Sequence, residues 1–279
     1  MAVKNSLSTK SKSNFAQIVK SSGVQQSLIG TLGDTAKTKK FTASIVSAVS
    51  NNPALAECDA MTIISGALIG ESLNLSPSPQ LGQYYLVPFK DRKNNRTTAT
   101  FQIGWKGYYQ LALRTGQYKK LNVTPVKEGE LVQYDPFNEE IELNMIQDEA
   151  VRAKADTIGY YGMFELNNGF RKTMYWSKEK MQEHAKKYSQ GYASDLRNNH
   201  QYTFWSKDFD AMAIKTIYRQ LIGKYGIMSI EMETAYTNDM SYKDGIDKQP
   251  VYFDNQEVNE QTGEVVEAKV EEVKSDHLI

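Results

Sequence analysis

The hydrophobic period of this chain changes twice, from helical to strand-like near Gly82 and back near Ser177, and that order restricts the architectures open to it. Before Gly82, Phe41, Ile45, Val46 and Val49 share a helix face whose run must stop at Asn51-Asn52-Pro53, because the residue before proline is steered out of the α region. A second helix is predicted from Asp59 as N-cap through Ile63, Ile64, Leu68 and Ile69, ending before Pro77. Then Tyr84–Val87 and Thr98–Ile103, rich in aromatic and β-branched residues, flank the polar tip Lys90-Asp91-Arg92-Lys93-Asn94-Asn95-Arg96, which predicts a long β-hairpin with a cationic end. A helix over Trp105–Thr115 closed by Gly116, a strand over Tyr118–Val126 and strands at 131–134, 140–145, 158–166 and 170–175 follow. Asn167-Asn168-Gly169 turns the last pair. Helices return at 177–188 and 207–225. Helices around a central antiparallel, strand-rich region predict one α+β domain rather than a βαβ alternation.

The chain has 33 Lys+Arg against 33 Asp+Glu, but the zero net charge conceals a partition. Residues 1–127 hold 16 bases and 5 acids, 128–156 hold 2 and 9, 157–228 hold 11 and 6, and 229–279 hold 4 and 13. A basic body with an acidic end points to a polyanionic ligand and an end that repels it or serves another partner. Residues 1–14 lack apolar periodicity and are expected to form an arm, and order is expected from Phe15. We therefore divide the chain into an N-terminal arm and oligomerisation segment at 1–35, a core at 36–228 and an acidic, disordered partner-binding tail at 229–279. One cysteine, Cys58, leaves no internal disulfide, and no apolar stretch suggests secretion or a membrane span, so the expected location is the cytoplasm.

Most cofactor chemistry finds no support in the motifs. The Gly223-Lys224 pair is followed by Tyr225, not by the Ser or Thr of a phosphate-binding loop. His184, His200 and His277 are scattered, and with one cysteine they give no zinc spacing. Asn198-Asn199-His200 faintly resembles a nuclease motif, and Asp135, Glu139 and Glu140 form a carboxylate run that a metal could use; a polar loop and a solvated face explain them as well. No catalytic residue, metal or ATP site is expected.

The chain does interleave cations with aromatics, which is how single-stranded nucleic acid is held without sequence readout. Gly104–Gly116 contains Trp105 and Tyr109, with Lys106, Gln110 and Arg114 on one helical stripe; Lys119 and Lys120 follow. An amphipathic helix with a wet face accounts for the same pattern. In the 207–225 helix, Phe209, Met212, Ala213, Ile217, Leu221 and Ile222 suit an inward face, and Lys207, Lys215 and Arg219 fall on one cationic edge, which either contacts a ligand or is an ordinary solvated face. Arg171-Lys172, beyond the Asn-Gly turn, and the hairpin tip cations Lys90, Arg92, Lys93 and Arg96 complete the candidate contacts.

An ordered series of short segments carries a resemblance: Asn52-Pro53-x-Leu55-x-x-Cys58, Leu73-x-Leu75-x-Pro77, Tyr85-Leu86-Val87-Pro88-Phe89, Gln102-Ile103-Gly104-Trp105-Lys106-Gly107-Tyr108 and Arg114-x-Gly116, then Asp135-x-Phe137, Gly159-x-Tyr161, Trp205 and Met212-x-x-Lys215-Thr216-x-x-Arg219-x-Leu221. The series resembles the RecT family of phage single-strand annealing proteins over roughly residues 40 to 230, and fades beyond Ser229. The resemblance adds Trp205 to the candidate contacts. It implies ATP-independent binding of single-stranded DNA and annealing of complementary strands by a ring or helical filament of identical subunits, with single strand and annealed duplex as ligands. A phage exonuclease and a host single-strand binding protein are the implied partners, with Mg at most a modulator. The rival expectations are a passive single-strand binding protein and a metal-dependent nuclease.

Overall fold

A computed structural model describes residues 15–91, 94–252, 257–258 and 265–266. The arm at 1–14, the tip residues Arg92 and Lys93, and most of 253–279 lie outside the described residues.

Helices α1 (Phe15–Val19), α2 (Ser22–Leu32) and α3 (Thr35–Asn51) open the fold. Asp34 caps α3 by accepting from the amides of Ala36 and Lys37, and the helix stops two residues before Pro53, as the sequence predicts. Phe15, Val19 and Leu28 are buried in the main core, so residues 15–35 belong to the body rather than to an arm. After a 3-10 turn (Pro53–Glu57), α4 (Ala60–Ser72) begins at the expected cap Asp59. Its first turn is tied to the following sheet: the Asp59 amide donates to the Thr97 carbonyl, and the buried Ala99 amide donates to Thr62 Oγ1 at 2.9 Å.

The long hairpin is present as β1 (Tyr84–Asp91) and β2 (Arg96–Ile103), in register from Tyr84↔Ile103 to Asp91↔Arg96. α5 (Trp105–Arg114) leads by way of Gly116, at φ 65°, to β3 (Tyr118–Lys127). β4 (Leu131–Asp135) and β5 (Glu140–Leu143) form a small separate hairpin. A short helix that the sequence reading lacks, α6 (Glu149–Lys154), precedes β6 (Thr157–Leu166) and β7 (Arg171–Ser177). β3, β6 and β7 make a three-stranded antiparallel sheet.

Then come α7 (Lys178–Tyr188), α8 (Gln190–Asn198), α9 (Phe204–Lys207) and α10 (Phe209–Tyr225). The expected helix over 207–225 is broken at Asp208, whose side chain caps α10. α10 lies on the β3–β6–β7 sheet, with Ile217 and Leu221 beside Gly162, while α4 lies on the hairpin, with Leu86 and Phe101 beside Gly66. One continuous buried cluster joins both sheets, consistent with a single α+β domain.

The largest departure is at the C-terminal end. The tail expected from residue 229 is not a tail up to residue 252. α11 (Ile230–Asn238) packs with Met232 and Ala235 fully buried, and β8 (Ser241–Tyr242) and β9 (Val251–Tyr252) extend the first sheet in the order β1–β2–β8–β9. Glu231 and Glu233 sit on the exposed side of α11, so their charge hid an inward apolar face. Farther on, Glu257–Val258 pairs with Val265–Val266 in a two-residue antiparallel ladder.

The β2–α5 junction depends on a close approach of backbones. A Cβ on Gly104 would lie against the Gly82 carbonyl oxygen, which cannot swing aside as a flexible side chain could. Gly104→Ala is expected to cost about 1–3 kcal/mol, read as a lowered melting temperature. An unchanged melt would mean that the two backbones can separate freely.

Candidate nucleic-acid interface

One groove, a cavity of about 800 Å³, gathers residues from six elements, α9 among them through Trp205. β7 supplies Trp176, α7 supplies His184 and Tyr188, α10 supplies Lys215, Arg219 and Lys224, α11 supplies Tyr236, and β9 supplies Tyr252.

One wall is a run of rings. Trp176 and His184 meet edge-on with centroids 5.2 Å apart, and His184 and Tyr188 are 4.6 Å apart. Lys180 Nζ sits 4.7 Å from the Trp176 ring centre and Lys187 Nζ 5.3 Å from that of Tyr188, so cations and π faces alternate along α7. Opposite, Arg219 lies 4.1 Å from the ring of Tyr236. Burial, then Lys187, Lys224 and Arg219, push the His184 imidazole below its usual range, which identifies the cations that face it.

Asp239, immediately after α11, organises the floor. Its Oδ1 accepts from Lys215 Nζ at 3.0 Å and from the Ile103 amide at 3.1 Å. Its Oδ2 accepts from Arg219 Nη1 at 2.7 Å and from the Tyr108 hydroxyl at 3.2 Å. Burial, then the neighbouring Asp239 carboxylate, hold Tyr108 well above the usual phenol range, so it stays a donor. Two cations thus share one carboxylate whose side chain is 1% exposed. The accessible cationic edge expected of α10 is therefore corrected at Lys215, which is buried and paired; Arg219 reaches the groove from the same network. Trp205 also borders the groove, but it is 7% exposed and packed on Tyr192 and Phe209, so little of its ring is free to stack on a base.

The remaining sequence candidates do not converge on the groove. Trp105 stacks on Tyr218 with ring planes 8° apart, Tyr109 meets the same ring edge-on, and Lys106 lies over Trp105. Arg114 donates to the Leu73 and Asn74 carbonyls at 2.7 and 2.8 Å, closing the end of α4. Lys119 and Lys120 both pair with Glu165. Lys172 pairs with Glu139 and covers the Tyr225 ring, while Arg171 borders an acidic hollow with Glu139, Glu140 and Glu142. Arg96 binds Asp244 at 2.8 Å and rests over Tyr242; Lys90 and Lys207 are exposed.

The ring wall was missed by the sequence reading. Its signal is there in outline: Lys180, His184, Lys187 and Tyr188 recur at helical spacing directly after Trp176. Of the carboxylates considered for a metal, Asp135 accepts three hydrogen bonds from Phe137 and Asn138 of its own turn, and Glu139 is engaged by Lys172. Among the described residues, no helix is long and apolar enough to cross a membrane.

The RecT family profile matches residues 39–253. The chain therefore belongs to the RecT family, and the match runs through β9, past Ser229, where the segment-by-segment resemblance fades. The chain is 41% identical over 208 residues to the uncharacterized protein YqaK of Bacillus subtilis (strain 168), covering 75% of this chain and 66% of YqaK, just under two thirds of that relative. It is 29% identical over 216 residues to Protein RecT of Escherichia coli (strain K12), covering 76% of this chain and 72% of that one.

Proposed function

We propose that this protein binds single-stranded DNA with little regard to sequence and anneals complementary strands without ATP, acting as a homo-oligomer that also holds the annealed duplex. The observation that carries the reading is the groove in which Trp176, His184 and Tyr188 face Arg219 and Lys224. Cations neutralise phosphates and rings support unpaired bases, which is the combination that sequence-blind single-strand binding requires. A strand held this way is extended and relieved of self-repulsion, so its complement can pair without fuel, because stacking supplies about 1.4 kcal/mol per step. No covalent step is involved, and neither ATP nor a resident metal is required; Mg is at most a modulator. In the cell the partners would be an exonuclease that exposes the strand and a host single-strand binding protein that is displaced from it.

The test is to mix complementary fluorescent oligonucleotides with the protein, with and without ATP and Mg. Faster annealing that is indifferent to ATP is expected. Protection without acceleration would make the protein a passive binder, and Mg-dependent degradation would make it a nuclease. Lys180→Ala combined with Lys224→Ala should weaken binding to every sequence alike and flatten the dependence of log K on log salt by about 0.7 per lost phosphate contact. An unchanged salt slope would remove the groove from the DNA path.

A further inference from the structure

We propose that the acidic segment after Tyr252 occupies this same groove when no DNA is present, as the chain's own counter-polyanion. The proposal rests on the reading of the groove as the DNA site and adds a competitor for it.

Three observations support it. First, the last long described stretch ends in the groove wall: β9 pairs with β8, the Tyr252 hydroxyl donates to the Thr237 carbonyl, and Tyr252 itself lines the groove. Second, residues 253–279 carry eight acids and two lysines, beginning with Asp254, whose α-carbon covalent geometry keeps within about 8 Å of that of Tyr252. Third, the carboxylate on the groove floor is already committed. Asp239 is shared by Lys215 and Arg219, while Lys224 lines the groove and is exposed, and the exposed Lys180 and Lys187 rest on Trp176 and Tyr188, two rings of its wall. A segment of opposite charge tethered beside such a surface acts at an effective concentration on the order of millimolar, so even weak contacts compete with DNA.

The test keeps the full chain and changes Glu257, Glu260, Glu264, Glu267, Glu271 and Glu272 to glutamine, then measures affinity for a labelled oligo-dT. At about 0.05 M salt the glutamine chain is expected to bind about fivefold more tightly than the parent, and at about 0.5 M the two should agree, because screening then removes the competitor. A synthetic peptide of residues 253–279 should displace oligo-dT from the glutamine chain at low salt. Equal affinities at low salt would overturn the proposal. Introducing Lys180→Ala and Lys224→Ala into the glutamine chain separates the two readings: lost affinity there keeps the groove as the DNA site whatever the tail does, and full affinity there overturns both.

Discussion

A chain ending at residue 229 is expected not to fold. It would lose Met232 and Ala235, both fully buried, Tyr242 at 4% exposure, and Asp239, the shared acceptor for Lys215 and Arg219. A fully buried side chain the size of Met contributes about 1.5–3 kcal/mol, and removing one partner of a buried ion pair costs about 3–5 kcal/mol. Together these approach the whole stability of a typical domain, about 5–15 kcal/mol. The charge partition suggested the opposite, namely a dispensable acidic tail from 229. A chain ending at 252 keeps every buried residue among those described, and it is expected to melt within a few degrees of the parent, on a scale of about 2–4 °C per kcal/mol. Circular dichroism melts of both truncations decide the matter: a cooperative transition for the 229 chain near that of the parent would sink the assignment of α11 and β8 to the core.

Asp239→Ala is expected to be the most damaging single substitution in the groove, at about 3–5 kcal/mol, or about 6–20 °C in melting temperature. The carboxylate accepts from four donors on three elements, namely β2, α5 and α10, and its removal leaves Lys215 buried without its counter-charge. Asp239→Asn should cost less, since an amide oxygen can still accept from the Ile103 amide or the Tyr108 hydroxyl, yet one negative charge no longer balances two positive ones. A melt for Asp239→Ala within about 2 °C of the parent would show that water or a rearrangement compensates, and the account of the floor would fail.

What the sequence disclosed and what it withheld divide by range of interaction. The cap at Asp59, the stop before Pro53, the β1–β2 hairpin and the Asn-Gly turn before β7 rest on neighbours a few residues away, and all were legible. The candidate contacts failed to converge where the deciding partner is distant. Arg114 looked free on its helical stripe, but the carbonyls that hold it belong to Leu73 and Asn74. Lys215 falls on a cationic helix edge in the sequence, but its counter-charge Asp239, which lets it sit in the interior, arrives 24 positions later, just past α11. The ring wall is made by a corner between two elements: Trp176 ends β7 and His184 and Tyr188 lie on α7, and only the packing of that strand against that helix makes the three rings neighbours.

The sheet order also sets a schedule for synthesis. β2 forms early in the chain, yet its outer neighbour β8 pairs through Phe101↔Ser241, with the Met240 amide bonded to the Phe101 carbonyl, across some 140 residues of intervening chain. A nascent polypeptide leaving the ribosome therefore carries an open strand edge at β2, and later a buried Lys215 without its acceptor, until β8 and the Asp239 before it have emerged. Such edges invite pairing with other chains. Stalled or prematurely terminated products of this protein should be the aggregation-prone species, and the moment of release from the ribosome, rather than any single element, is when the groove first exists.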